Sequence, residues 1–188
     1  AGADPLPLRI QSAVGLTSLY AVSTISKETF DKLPDFKKRV TWFENYRKRN
    51  NLFWPNEERG DGEKVLLSLV QKDRLLSLLQ RLLHEAEFLS GGGIRALSKY
   101  HEANPYTVTI DGEKYTIQYD PGDSTSNLFG GNSNWRGPVW MPLNYLIIRS
   151  VRKYGEFYGD QVKVECPAGS GNMMNLVEVS AFLSNRVV

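Results

Sequence analysis

A mainly helical domain with one inserted β-hairpin is what the sequence predicts, and three stretches predict it. Asp73 to about Glu87 places Leu75, Leu76, Leu79, Leu82 and Leu83 on one wide stripe, with Gln80, Arg81 and Glu85 largely outside it, as in an amphipathic helix. Tyr106 to Tyr119 alternates in the strand manner about Asp111-Gly112, a pair suited to a type I′ turn. From Val139 to Ile148 apolar side chains cover nearly the whole circumference of a further helix. With 188 residues, 41% of them hydrophobic, the chain can bury one core, and no internal domain boundary is visible.

Taken in order, Ala1 to Pro7 reads as a lead-in loop. Leu8 to about Ser23 holds Leu8, Val14, Leu16, Leu19, Tyr20 and Val22 with few charges, and is expected as a mostly buried helix. Ser26 can cap a short helix over Lys27 to Leu33. Pro34 opens a longer one through Arg49, with Phe36, Val40, Phe43 and Tyr46 at helical spacing. Asn50 to Glu63 is a polar loop, and Val65 to Val70 is a short apolar segment, strand or helix. Gly91-Gly92-Gly93 has high backbone freedom, but no Gly-Lys-Ser/Thr follows it, so a phosphate cradle is not indicated. Asp120 to Ser133 reads as a long polar loop, a type that in a compact domain is usually functional. After Gly155 come a loop, a strand-like Val162-Lys163-Val164, a glycine-rich turn and a last helix from Met173 to Val187.

The most informative stretch runs from Phe129 to Leu146. Its first half, with paired glycines and short amides, favours turns. Its second half is a helix start, with Gly137 at the N-cap, Pro138 at the first helical position and Gly155 as a left-handed stop. Arg149, Arg152 and Lys153 suit the negative end, so the helix is expected to begin deep in a core and emerge into water. Asn134, Trp135, Arg136, Trp140 and Asn144 gather at its mouth. Burying amides and a guanidinium is costly unless each finds a partner. A ligand rich in hydroxyls supplies partners, and indole faces cover its C–H surfaces, a combination that suits a sugar. The other reading is a loop whose Arg136 and amides satisfy carbonyls inside the fold.

Composition narrows the partners. The net charge of +2 gives no steering toward nucleic acid or an acidic membrane. Lys37-Lys38-Arg39 and Arg47-Lys48-Arg49 flank Trp42 and Tyr46, but Asp35 and Glu44 dilute that charge, and a solvated face over an apolar stripe accounts for it. Cys166 is alone, which excludes an internal disulfide and reads as a small buried hydrophobe. With two histidines and one cysteine no metal or other cofactor is expected. No membrane span or basic-plus-apolar leader is visible, and no Asn-x-Ser/Thr sequon occurs, which favours a cytosolic over a secretory setting.

The run 134–140, Asn-Trp-Arg-Gly-Pro-Val-Trp, followed by Asn144-Tyr145-Leu146, resembles the signature of glycoside hydrolase family 63, which includes the processing α-glucosidase of the endoplasmic reticulum and many bacterial and fungal relatives. Phe88-Leu89-Ser90, Gly93 to His101 and Asn104-Pro105-Tyr106 resemble a second block of its long cytosolic-type members. Tyr119 to Ser124 resembles a third, and Val164-Glu165-Cys166-Pro167 with Gly169-Ser170-Gly171 a fourth, in the family's order and spacing. Where this chain has Gly91-Gly92, family members usually carry an aromatic residue, which implies a looser or re-aimed loop.

The resemblance implies residues 1–188 as part of an (α/α)6 barrel. Twelve such helices need roughly 300 residues or more, so an isolated piece should expose the apolar faces of inner helices. It implies inverting hydrolysis of an α-glucosidic bond by two carboxyls roughly 6.5–9.5 Å apart. By resemblance the acid lies upstream of Ala1 and the base downstream of Val188, so none of Glu102, Asp120, Asp123 and Glu165 is expected to be either. The contribution implied here is positioning. Trp135 and Trp140 would be stacking walls, Asn134 and Arg136 donors to hydroxyls, Gly137 part of the same mouth and Asn144 an inner support. Arg95, Tyr100, His101 and Asp123 are secondary candidates for lining the site. The expected partners are an oligosaccharide or small α-glucoside and the remainder of the polypeptide. A non-catalytic sugar-binding module and a helical interaction module stay open beside the glycosidase.

Overall fold

A computed structural model describes residues 7–52, 64–122 and 138–188. Most of the loop expected over Asn50 to Glu63, most of that over Asp120 to Ser133, and Asp123, Asn134, Trp135, Arg136 and Gly137 lie outside the described residues.

The described chain is mainly helical, with four two-stranded antiparallel pairs. An extended segment leads into a 3-10 helix, Ala13–Tyr20, and then strand β1, Val22–Ser26. Helices α1, Lys27–Asp31, and α2, Pro34–Arg49, follow. Strand β2, Lys64–Ser68, returns to pair with β1, Val22 opposite Ser68. Helix α3 is Lys72–Leu82, and β3, Leu89–Ser90, turns through Gly91-Gly92 into β4, Gly93–Ile94. A short α4, Tyr100–Ala103, precedes the hairpin β5, Tyr106–Ile110, and β6, Glu113–Ile117. Helix α5 is Met141–Tyr158; β7, Lys163–Glu165, pairs with β8, Met173–Asn175; and α6, Leu176–Val187, closes the chain.

Helix α5 is the spine. Ile147, Val151, Tyr154 and Phe157 on one face are buried, and α5 packs on α6, on the 3-10 helix and on the β1–β2 pair. Leu75, Leu79, Leu82 and Leu83 of α3, with Leu16, Leu19, Leu176, Val179 and Leu183, complete the core. Inside it the Tyr154 hydroxyl lies 2.7 Å from Ser68 Oγ, which also accepts from Val70 N–H and donates to Val70 C=O. That polar island is satisfied, as a buried hydroxyl must be.

Several sequence expectations are corrected. Leu8 to Ser23 is not one buried helix. Only Ala13, Leu16 and Leu19 of the 3-10 turns face the core, and the run Val22 to Ile25, with three β-branched residues in four, is drawn into pairing with β2. The helix expected from Pro138 starts at Met141, with Trp140 in extended geometry at its cap and Pro142 in the first turn. It runs past Gly155 to Tyr158, and the positive φ of +53° falls on Gly159 instead. Gly155 lies inside the helix, where a Cβ would stand 2.6 Å from the backbone nitrogen of Val177, so its missing side chain lets the start of α6 approach. The burial gradient of α5 is the reverse of the expectation. Met141 and Tyr145 in its first turns are 52% and 60% exposed, while Phe157 and Tyr158 at its end are buried. Three strand pairs, β1–β2, β3–β4 and β7–β8, join the one hairpin expected, and Met173 to Asn175 belongs to β8 before α6 begins.

Other expectations hold. Ser26 caps α1, accepting from Thr29 N–H at 3.1 Å, and α2 spans the expected residues. Asp111 and Gly112 both have positive φ in the tight turn between β5 and β6. Helix α2 nevertheless buries nothing: Phe36, Phe43, Tyr46 and Trp42 all remain exposed.

Candidate functional site

The mouth of α5 is tied to the segment that follows β3. Asn144, one turn into the helix, is buried and turns its amide toward Ile94. Its Oδ1 accepts from Ile94 N–H at 2.7 Å, and its Nδ2 donates to Ile94 C=O at 3.0 Å and to Trp140 C=O at 3.1 Å. Both amide hydrogens are therefore taken by backbone carbonyls. With its donors occupied inside the fold, Asn144 braces the helix entrance against Ile94.

Gly93 makes this approach possible. It has φ +119°, and a Cβ there would stand 2.6 Å from Val187 Cγ1, 2.8 Å from Asn144 Oδ1 and 3.2 Å from Val139 Cγ1. The third glycine of the triplet is thus the one with a geometric duty, whereas Gly91 and Gly92 occupy an open turn. Next along, Ala96 N–H donates to Pro138 C=O at 2.9 Å, and Trp140 is half-buried at the helix entrance.

Of the secondary candidates, Arg95 does not present its charge to a cavity. Its Nη1 reaches the carbonyls of Glu85 at 2.9 Å, Glu87 at 3.3 Å and Leu89; its Nε donates to Tyr119 Oη at 3.1 Å; and the guanidinium lies 5.6 Å from the Tyr119 ring centre. His101 is buried and takes the role of a hydrogen-bonded structural imidazole. Nε2 accepts from Gln11 N–H at 2.9 Å, so Nδ1 carries the proton that faces Asn104 C=O at 3.0 Å. Tyr100 stands exposed with its ring edge-on to that imidazole. Sequence reasoning missed the part played by Ile94, Tyr119 and Pro138, because it runs through their backbones or through one hydroxyl and leaves no compositional mark.

A separate hollow of about 420 Å3 lies between α3 and β7, lined in part by Leu76, Gln80, His84, Val164 and Glu165. Two of its polar side chains are turned to local backbone. His84 Nδ1 accepts from Ala86 N–H, and Glu165 accepts from Gly169 N–H. Among the described residues no three His, Cys, Asp or Glu side chains gather as a metal cluster, and no helix is long and apolar enough to cross a membrane. Cys166 is fully buried, and burial pushes its thiol pKa up to about 11. Burial likewise raises the Tyr20 hydroxyl to about 12.

Comparison with known proteins follows the same map. The chain is 47% identical over 191 residues to the Uncharacterized protein YMR196W of Saccharomyces cerevisiae, all of this chain being matched. It spans 17% of that relative's length. No solved structure matches. The model of the glycosyl hydrolase family 63 C-terminal domain matches residues 65–168, a span that takes in α3, the Ile94–His101 segment, the hairpin and all of α5. With more than half of its length inside that match, and with the mouth of α5 within it, the chain belongs to glycosyl hydrolase family 63.

Proposed function

We propose that this chain is part of an inverting glycoside hydrolase acting on α-glucosidic bonds, and that it supplies the residues that position the sugar. The observation that carries the reading is the family match across the mouth of α5, where the half-buried Trp140 follows Asn134, Trp135 and Arg136 in the sequence. Indole faces suit the C–H surface of a pyranose, and a guanidinium and amide suit its hydroxyls. Contacts of this kind that tighten in the transition state raise rate and not only affinity. The general acid and base belong to other parts of the polypeptide, and the (α/α)6 barrel is completed by them. The setting we favour is cytosolic, on the absence of a sequon.

The test compares two proteins, this chain alone and the full-length protein, on α-glucosides. The chain alone should be inactive and the full-length protein active. The first product should be the β-anomer by NMR, since attack by water opposite the leaving group inverts the centre. Release of the α-anomer would replace inversion by retention. Full-length protein that cleaves no α-glycoside, yet whose tryptophan fluorescence is perturbed by sugar, would move the reading to a non-catalytic sugar-binding module.

A further inference from the structure

The hollow between α3 and β7, about 420 Å3, has a size at which proteins hold small ligands. Its floor is apolar. Leu76 of α3, Val164 of β7 and Ala168 of the following turn are partly buried and pack against the core. Its rim is polar, with Gln80, His84 and Glu165 standing exposed around that floor. None of these six residues belongs to the mouth of α5.

The walls are built into the fold. Ala168 N–H donates to Leu83 C=O at 2.9 Å, which ties the turn after β7 to the end of α3. That turn is also closed internally. Cys166 N–H donates to Asn172 C=O at 2.9 Å, and Ser170 N–H donates to Pro167 C=O at 3.2 Å. Hydrogen-bonding capacity is left over at the rim. Glu165 uses one carboxylate oxygen, Oε2, to accept from Gly169 N–H at 2.7 Å, and it has no cationic partner among the described residues. His84 Nδ1 accepts from Ala86 N–H at 3.1 Å, so the ring hydrogen sits on Nε2, for which the described residues supply no acceptor. The Gln80 amide, both donor and acceptor, makes no side-chain hydrogen bond among the described residues.

This pattern selects a ligand chemistry. A hydrocarbon would strip three polar groups of water and return no hydrogen bond. An anion such as phosphate would be repelled by the Glu165 carboxylate. An ammonium only donates, so it would suit Glu165 and leave the His84 N–H facing another donor. Hydroxyls donate and accept at once. One donates to the carboxylate, another accepts from the imidazole N–H, and the Gln80 amide serves either way. The C–H face of a sugar ring then rests on Leu76, Val164 and Ala168. We propose that this hollow is a saccharide-binding site separate from the mouth of α5, in which Glu165, Gln80 and His84 hold ring hydroxyls over an apolar floor. The site breaks no bond, so it stands whether or not the polypeptide is a glycosidase.

Amide exchange of the full-length protein, read by mass spectrometry on segments 76–86 and 163–171, tests the site, with segment 147–154 of α5 as the control. The probes are D-glucose and maltotriose, and N-acetyl-lysine methylamide stands for a basic peptide. At about ten times Kd, sugar should slow exchange in both segments by about tenfold and leave the control unchanged. Tighter binding of maltotriose identifies a groove for a chain, and equal binding a seat for one ring; both support the site. Glu165→Gln, which keeps an acceptor for Gly169 N–H and removes the charge, should weaken binding by about tenfold. Gln80→Ala lies on exposed helix surface, where alanine is well tolerated, and should weaken binding by about three- to tenfold with the fold intact. Protection by neither sugar overturns the proposal, as does protection that both variants retain in full. Protection by the lysine derivative and by neither sugar also overturns it, and makes the hollow a seat for a basic peptide.

Discussion

The side chain of Asn144 accepts from the N–H of Ile94 and donates to its C=O, so it stands in for the backbone of a neighbouring strand. Replacing it by leucine keeps the volume but strands two backbone groups of a fully buried residue. Each orphaned group costs about 1–3 kcal/mol. Asn144→Leu should therefore lower the urea midpoint well beyond what a surface change does, and an unchanged midpoint would show that water reaches Ile94. Cys166 gives a second prediction at this scale. Its folded pKa of about 11 stands above the ordinary 9.0 because burial disfavours the thiolate. Below pH 9 both folded and unfolded chains hold the proton, and the full contribution is present. Between pH 9 and 11 only the unfolded chain releases it, so stability falls by up to about 1.4 kcal/mol per pH unit. Urea melts of wild type should steepen their decline over that window, and Cys166→Ala should flatten it. A thiol reagent should label Cys166 only as the chain unfolds.

At the scale of elements, the contact of α5 with α6 depends on a glycine that helix propensity alone would replace. Alanine at position 155 gains about 1 kcal/mol of intrinsic propensity. It also meets the Val177 nitrogen at 2.6 Å and the Leu176 carbonyl carbon at 2.9 Å, both backbone and unable to swing aside. Overpacking of that kind costs about 1–3 kcal/mol. Gly155→Ala should thus melt at or below the wild-type temperature, and a clear rise would mean that α6 can shift. The same glycine shows why the sequence misleads locally. A Gly after a long apolar helix reads as a stop, yet here it serves an approach between helices and the true stop lies at Gly159. Elements with local determinants were legible: α1 through its Ser26 cap, α2 through Pro34, α3 through its leucine stripe, the β5–β6 hairpin through Asp111-Gly112. Strand β1 was not, because its partner β2 lies beyond two helices. At the candidate site, Trp140 and Asn144 were visible as residue types. The bracketing of Ile94 was not, since nothing in an asparagine announces which backbone it will meet.

At the scale of the whole molecule, exposed apolar surface is the dominant feature. Trp42 is 65% exposed and stacks on Tyr46, and Met141, Tyr145 and Leu146 lie open along the first turns of α5. Soluble monomers seldom show contiguous apolar patches above a few hundred Å2. The chain alone should therefore self-associate as its concentration rises in sedimentation velocity, and Trp42→Glu combined with Tyr145→Lys should shift it toward monomer. A strictly monomeric wild-type chain would show that these side chains are too scattered to form a sticky face.

The strip from Ile94 to His101 has a kinetic corollary. Ala96 within it bonds to Ala13 on one flank and to Pro138 on the other, and Gln11 meets His101 across a sequence separation of 90. Contacts that distant close late, because the intervening chain must first surrender its entropy. The leucine helix and the hairpin, whose contacts are local, can form within microseconds, whereas this three-ply seam has to wait for residues 11–13 and Pro138 to arrive. Substitutions in the seam should accordingly speed unfolding and leave the refolding rate nearly untouched.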